Sequence, residues 1–272
     1  MADFFGGKVS RGRSTAAVVL ISQAAGLVIV LVVAATSGSF AAPTGYLLWA
    51  VGAGLSGAAA VFLFYQALSI GTMSIIAPIA ALGVIVPVAI SVSSGVIPSA
   101  LCLIGIATAI AGVVIAARGH GTTVRAKRHG VSVVLAIGSA GGFGLLQYAI
   151  AGGSSHSTVM TMVVMRCTSV PLLAAATCFA FRAGGHRQSG ERFSARIIAL
   201  IIVIGIFDVS ANLMFAEASV SGNLAVVATL GSLYPAATVL LARIFEHEKL
   251  SRSQNAGVLG ALIGVAMITA AS

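Results

Sequence analysis

Residues 100–128 read ALCLIGIATAIAGVVIAARGHGTTVRAKR, and the whole chain repeats this pattern. Residues 100–117 contain no charged side chain, whereas residues 118–128 contain three arginines and one lysine. A helix of about 20 apolar residues spans the hydrocarbon core of a bilayer, which is about 30 Å thick. The stretch therefore predicts a transmembrane helix that is followed by a basic loop.

The same alternation of apolar and basic segments runs along the chain. Fourteen of the fifteen Lys and Arg residues lie in four polar segments, at 8–13, 118–128, 182–196 and 243–252, and the remaining connections contain none. Because loops rich in Lys and Arg stay in the cytoplasm during insertion, these four segments are expected to share the cytoplasmic face. The fifteenth cation, Arg166, lies inside an apolar stretch.

The composition supports a membrane protein and excludes several other classes. The chain is 58% hydrophobic and 8% charged, which is far more apolar than a soluble domain requires. The net charge of +9 is explained by the basic loops, and no motif for reading DNA or RNA accompanies it, so no nucleic-acid partner is expected. The three cysteines all lie in apolar stretches, where core positions are expected rather than a disulfide framework.

Nine stretches are long enough to cross a bilayer as helices. They lie at about residues 15–35, 45–68, 73–93, 99–117, 131–151, 157–181, 196–219, 223–244 and 253–271. Nine crossings place the two termini on opposite sides of the membrane. We therefore predict a multi-pass protein of the cell membrane with a cytoplasmic N-terminus and an external C-terminus.

An internal repeat with a period of about 150 residues organises these stretches. The sequence APIAALG at 77–83 aligns with ATLGSLY at 228–234. The remaining pairings in nearly the same register are Gly71 with Gly222, Gln66 with Glu217, Gly105 with Gly257 and Gly112 with Gly264. Equivalent loops have opposite charge character, because basic 243–252 pairs with uncharged 93–99 and basic 8–13 with uncharged 152–157. The two repeats are therefore expected to be inverted in the membrane, as in many secondary transporters.

Two motifs then resemble a known family. The sequences GSLYPAATVLLAR at 231–243 and HEKLS at 247–251 resemble the second-half signature of EamA-type proteins of the drug/metabolite transporter superfamily. The sequences APIAALG at 77–83 and GVIPS at 95–99 resemble the first-half version. The resemblance covers essentially the whole chain. It implies an all-α fold with two five-helix bundles around a central cavity.

The resemblance also implies a function and a division of the chain. The expected activity is the export of a small organic metabolite, amino acid or drug, without catalysis, cofactor or metal. The expected units are a first repeat at 1–117, a basic cytoplasmic linker at 118–130 and a second repeat at 131–272. Residues 2–7 match only the end of the helix that opens the second repeat, so nine full helices and one partial first helix are expected. The sequence is also compatible with a homodimer.

Polar groups at membrane depth are the first candidates for the site. Arg166 and Asp208 lie near the middle of their helices, where each ionisable group costs about 2.5–3.5 kcal/mol to insert. We predict that they form an ion pair, which either locks two helices together or serves a substrate or a proton. Asn212 follows Asp208 by four residues and shares its helix face. The repeat equivalents of the pair are Gln23 and Gly57, so the charges belong to the second half alone.

Four further residues are candidates for the cavity wall. Gln147, Tyr148, Tyr65 and Tyr234 offer amide, hydroxyl and aromatic groups to an organic substrate. Tyrosines near the membrane interface are equally typical of the aromatic belt, and the sequence leaves that alternative open.

Two other interpretations have less support. GAGLSG at 52–57 matches a dinucleotide-binding fingerprint, but no strand precedes it, so close helix packing is the better explanation of its glycines. A membrane-embedded enzyme would require more than Arg166 and Asp208. A structural or regulatory membrane protein that transports nothing remains the alternative function.

Overall fold

The computed structural model describes residues 2–11, 13–93, 95, 97–117, 123–182, 193–220, 234–245 and 250–271. This part of the chain is helical, with no strand. Ten α-helices follow one another: α1 Ala2–Ser10, α2 Thr15–Ser37, α3 Leu47–Ile70, α4 Met73–Ala81, α5 Ile85–Ser93, α6 Ala100–Ala117, α7 Thr123–Arg182, α8 Ala195–Val220, α9 Tyr234–Phe245 and α10 Arg252–Ala271. Short 3₁₀ turns lie at Ser39–Ala41, Thr44–Tyr46 and Leu82–Val84.

Five of the described helical segments are long and apolar enough to cross a membrane. They are Thr15–Ser37, Thr44–Ile70, Met73–Ile90, Gly130–Phe179 and Ala195–Val220, and Ala100–Ala116 is a shorter apolar helix. The segment Gly130–Phe179 has 50 residues, which is enough for two crossings at about 20 residues each. The helix predicted at 223–244 lies partly outside the described residues, which show only its end as α9.

Helix α2 has sequence signals at both ends. Ser14 precedes it in an extended conformation, and its hydroxyl accepts a hydrogen bond from the backbone N–H of Ala17. This contact satisfies one of the free N–H groups of the first turn. Gly38 ends the helix with φ 65°, a left-handed conformation that glycine adopts without strain.

The apolar stretch at 73–93 is two helices, not the single helix that its hydropathy predicts. A 3₁₀ turn at Leu82–Val84 separates α4 from α5. Pro87 explains the break, because a proline has no N–H to donate to the carbonyl four residues earlier, here that of Gly83, and its ring crowds that carbonyl.

The stretches predicted at 131–151 and 157–181 are joined without a loop. One residue of α7, Ser157, has non-helical dihedrals of φ −165° and ψ 111°. Its hydroxyl accepts a hydrogen bond from the N–H of Met160 at 3.4 Å, so it caps the helix that follows. We call residues 123–156 and 158–182 the first and second arms of α7.

Contacts between helices define two ends of the bundle. Arg11 donates to the carbonyl oxygen of Gly71 at 3.4 Å, and a Cβ at Gly71 would lie 2.7 Å from the side chain of Ser132. We call this the basic end. We call the opposite end the bare end, because its connections at 36–44 and 152–157 contain no Lys or Arg. Here a Cβ at Gly45 would lie 2.8 Å from His156, and one at Gly152 would lie 2.6 Å from Trp49.

Each end has its own apolar core. The core toward the basic end is built around the fully buried Phe64, Leu68 and Met73, together with Phe4 of α1. A second core toward the bare end contains Ile150 and Met162 from the two arms of α7. Cys102 is buried as predicted, but Cys167 and Cys178 are exposed, because hydropathy does not distinguish a core face from a lipid face.

Helices α6 and α10 cross in antiparallel directions through paired glycines. A Cβ at Gly105 would lie 2.9 Å from the carbonyl oxygen of Gly264, and one at Gly112 would lie 2.7 Å from that of Gly257. Real Cβ atoms do not approach carbonyl oxygens so closely, so only glycine permits this crossing. In the glycine triplet of α3, Gly54 has the same role, since its Cβ would lie 2.6 Å from the carbonyl oxygen of Met165, whereas Gly52 faces open space.

Candidate functional site

A cavity of about 620 Å³ lies between α1, α2, α3, both arms of α7, and α8. Its volume is in the range that holds a small organic molecule. Most of its wall is apolar, with small residues on α3 and phenylalanines on α7 and α8. The lining residues are Ala2, Asp3, Gln23, Ala53, Gly54, Gly57, Ala58, Val61, Phe143, Leu146, Gln147, Met165, Arg166, Ser169, Phe207, Asp208, Ala211, Asn212, Met214, Phe215 and Ala218.

The cavity lies between the middle of the bundle and the bare end. On α8 its lining runs from Phe207 to Ala218, close to the end of the helix at Val220. On α3 it runs from Ala53 to Val61, where Ala58 and Val61 also belong to the core of the basic end. The cavity is therefore closed toward the basic end by packed side chains.

The predicted ion pair between Arg166 and Asp208 is confirmed. Nη2 of Arg166, in the second arm of α7, lies 2.6 Å from Oδ2 of Asp208, in α8. The arginine side chain is 3% exposed, whereas that of the aspartate is 30% exposed. The pair joins two helices at mid-depth and presents its carboxylate to the cavity.

Gln23 completes this polar group from α2. Nη1 of Arg166 donates a hydrogen bond to Oε1 of Gln23, and the hydroxyl of Ser169 donates to the same oxygen at 3.2 Å. Gln23 and Ser169 are 3% and 2% exposed. The sequence predicted Gln23 as the repeat equivalent of Arg166 but did not predict that the two side chains are neighbours.

The remaining nitrogen of the guanidinium points away from the cavity. Nε of Arg166 is buried and has no hydrogen-bond partner among the described residues. A Cβ at Gly26 would lie 3.4 Å from this nitrogen, so it faces the backbone of α2. Glycine at this position leaves the space that the guanidinium occupies.

Asn212 and Gln147 both line the cavity, as the sequence predicts. The amide of Asn212 donates to the backbone carbonyl oxygen of Asp208 at 3.0 Å, which confirms that the two residues share a helix face. Gln147 lies on the first arm of α7. Both amides can orient a bound solute through hydrogen bonds.

The tyrosines lie elsewhere. Tyr65 is 3% exposed and packs beneath Gly6, between α1 and α3. Tyr148 is 38% exposed and contacts Trp49 edge to face, with the ring centroids 5.5 Å apart. Neither is among the residues that line the cavity. Tyr234 begins α9, and its side chain lies outside the described part of the chain.

Asp3 is a cavity residue that the sequence argument missed. It lies in the first turn of α1, is half-buried and lines the cavity with Asp208. A usable signal was present, because Asp3 precedes the end of α1 at Ser10 by two helical turns. At 1.5 Å per residue, this places a carboxylate about 10 Å inside the basic end.

Comparison with known proteins gives one finding. Residues 130–270 match the model of the EamA-like transporter family. This region is more than half of the chain and contains Arg166, Asp208, Asn212 and Gln147, whereas Gln23 and Asp3 precede it. No curated protein matches the chain.

Proposed function

This chain belongs to the EamA-like transporter family, and from that premise we propose that it is a secondary transporter which carries a small organic solute through the cavity beside Arg166 and Asp208. The family consists of multi-pass membrane proteins, with which the apolar helices of this chain agree. The observation that carries the proposal is a cavity of about 620 Å³ lined, near the middle of the helices, by an ion pair whose arginine is buried and whose aspartate is 30% exposed. Charged groups at this depth are costly, and in transporters they mark substrate or ion pathways.

The proposal includes two inverted repeats, at 1–117 and 131–272, joined by the basic segment 118–130. The glycine contacts support it. The sequence repeat pairs Gly105 with Gly257 and Gly112 with Gly264, whereas the contacts run from Gly105 to Gly264 and from Gly112 to Gly257. A two-fold axis in the membrane plane produces this exchange, because each contact then has a partner related by the axis.

A second contact supports the same axis. Gln23 and Arg166 are repeat equivalents, and they touch each other directly. Equivalent positions meet only on or beside an axis that relates the repeats. The axis would then pass through the cluster next to the cavity, which is where inverted-repeat transporters bind their substrates.

The proposed orientation places the basic end in the cytoplasm and the C-terminus outside. It rests on the concentration of fourteen cations in four segments. A reporter that is active only outside the cytoplasm should be active when fused after Ser272 and silent when fused near Lys127. The reverse pattern would overturn the orientation and leave the cavity unaffected.

We propose export of a small metabolite, amino acid or drug as the activity, and reconstitution tests it. Purified protein in liposomes should accelerate the exchange of at least one labelled amine, amino acid or carboxylate across the bilayer. A matched control is Glu217→Gln, which changes an exposed carboxylate of α8 that does not line the cavity. If no solute of these classes moves, the structural or regulatory alternative is correct.

A further inference from the structure

The two partners of the Arg166–Asp208 ion pair differ in what they offer to a solute. The side chain of Asp208 is 30% exposed and that of Arg166 is 3% exposed. A molecule in the cavity therefore meets the carboxylate, while the guanidinium lies behind it. In this ion pair the cation is shielded from the cavity, whereas the anion is accessible from it.

The hydrogen bonds of Arg166 point to the same conclusion. Nη1 binds Gln23, Nη2 binds Asp208, and Nε faces Gly26 of α2. An arginine that recognises an organic anion presents two parallel N–H donors to it. Here an anion would first have to displace Gln23 or Asp208, which would leave a buried polar group without its partner.

The rest of the wall favours positive charge. The charged residues that line the cavity, among those described, are Asp3 and Asp208 against Arg166. Phe143, Phe207 and Phe215 add aromatic rings, whose faces attract cations. An apolar body suits a cavity whose wall is mostly apolar, with its charge directed at the carboxylate.

We infer that the cavity selects organic cations, namely amines with an apolar body, and that the Asp208 carboxylate accepts the hydrogen bonds of the ammonium group. This inference rests on the proposed role of the cavity as the transport site. It names the substrate class of that site. Asp3 adds negative charge to the wall, and Asn212 orients the bound amine beside Asp208.

Three probes with nearly the same apolar body test the inference: 2-phenylethylammonium, 3-phenylpropanoate and 2-phenylethanol. Their binding to the purified full chain in lipid nanodiscs would be measured by equilibrium dialysis. The ammonium probe should bind at least about tenfold more tightly than the other two, because one charge-assisted hydrogen bond contributes about that factor. Tightest binding of the carboxylate would identify Arg166 as the recognition group and overturn the inference.

Two matched variants locate the acceptor. Asp208→Asn should weaken binding of the ammonium probe by about tenfold, whereas Glu217→Gln on the same helix should change it by less than about twofold. Because Asp208→Asn leaves Arg166 without its partner, the double variant Arg166→Gln with Asp208→Asn is measured as well. It should also lose the preference for the cation while it still binds the alcohol.

The remaining outcomes are equally decisive. Equal binding of the three probes, or binding of none, would overturn cation selection. Equal effects of Asp208→Asn and Glu217→Gln would exclude Asp208 as the acceptor. Since binding is measured without transport, a protein that binds the cation but moves no solute in liposomes would contradict the proposed function and leave the cation site intact.

Discussion

Two regions of this molecule bring pairs of helices together by opposite means. At the cavity, α2 and the second arm of α7 meet through long polar side chains, with Arg166 bound to Gln23. At the crossing of α6 and α10, the helices meet through glycines that bring the two backbones into direct contact. The polar contact is chemically asymmetric, since the second arm of α7 supplies a cation and α2 an amide. The glycine contact is the same from both sides.

The difference separates what holds the fold from what serves the cavity. Close glycine crossings exclude lipid and solute and need no specific chemistry. The polar cluster lies beside open space and carries charge at a depth where charge is expensive. We therefore expect the glycine crossing to tolerate no added volume, and the polar cluster to tolerate changed charge only when both partners change together.

The largest expected effect tests the polar side of this comparison. Asp208→Asn leaves Arg166 buried without its carboxylate, so we expect a loss of about 3–5 kcal/mol in the free energy of unfolding, measured by SDS titration. Adding Arg166→Gln should recover most of the loss, since it removes the buried charge that lost its partner and puts a neutral amide in its place. A double variant no more stable than the worse single one would show that the two residues are not coupled.

The second largest expected effect tests the glycine contact between α6 and α10. Gly112→Ala places a methyl group about 2.7 Å from the carbonyl oxygen of Gly257, so the helices must separate. We expect a loss of about 1–3 kcal/mol in the free energy of unfolding, typical of overpacking. The control is Gly52→Ala, because no heavy atom lies within 4 Å of the added methyl group. Equal stability of the two variants would contradict the close crossing.

The smallest expected effect tests the hydrogen bond between Ser169 and Gln23. Ser169→Ala removes the hydroxyl that donates to Gln23 from the neighbouring helix, and a loss of about 0.5–1.5 kcal/mol in unfolding free energy is expected. Ser155→Ala makes the same change where the exposed hydroxyl binds only a carbonyl of its own helix. If thermal denaturation gives the same fall in melting temperature for the two variants, Ser169 does not link the helices.

The sequence predicted the features that follow from the energetic cost of a charge inside the membrane or from the length of an apolar stretch. The ion pair followed from the penalty on isolated charges, and the helices followed from bilayer thickness. It did not predict which faces of the helices line the cavity, because a helix that is apolar all round has no amphipathic signal. Tyr65 and Tyr148 were candidates for this reason, although one packs against α1 and the other lies on the surface.

Local breaks were also only partly readable. Pro87 marked the interruption between α4 and α5, but a hydropathy window joined the two helices into one stretch. The uncharged residues at 152–157 suggested a loop. In the structure the helix is interrupted there at one residue, Ser157, whose hydroxyl caps the second arm of α7. Asp3 was not predicted as a cavity residue, although its distance from the basic segment at 8–13 places it about two helical turns inside the basic end.

Trp49 gives the bare end an optical property of its own. It is the single tryptophan of the chain, and its indole ring packs against Gly152 and lies edge to face with Tyr148. Because α3 begins here and the two arms of α7 meet here, any separation of these helices changes the polarity around the indole. The intrinsic fluorescence of the unlabelled protein therefore reports opening at this end, and remains silent when only the opposite end moves.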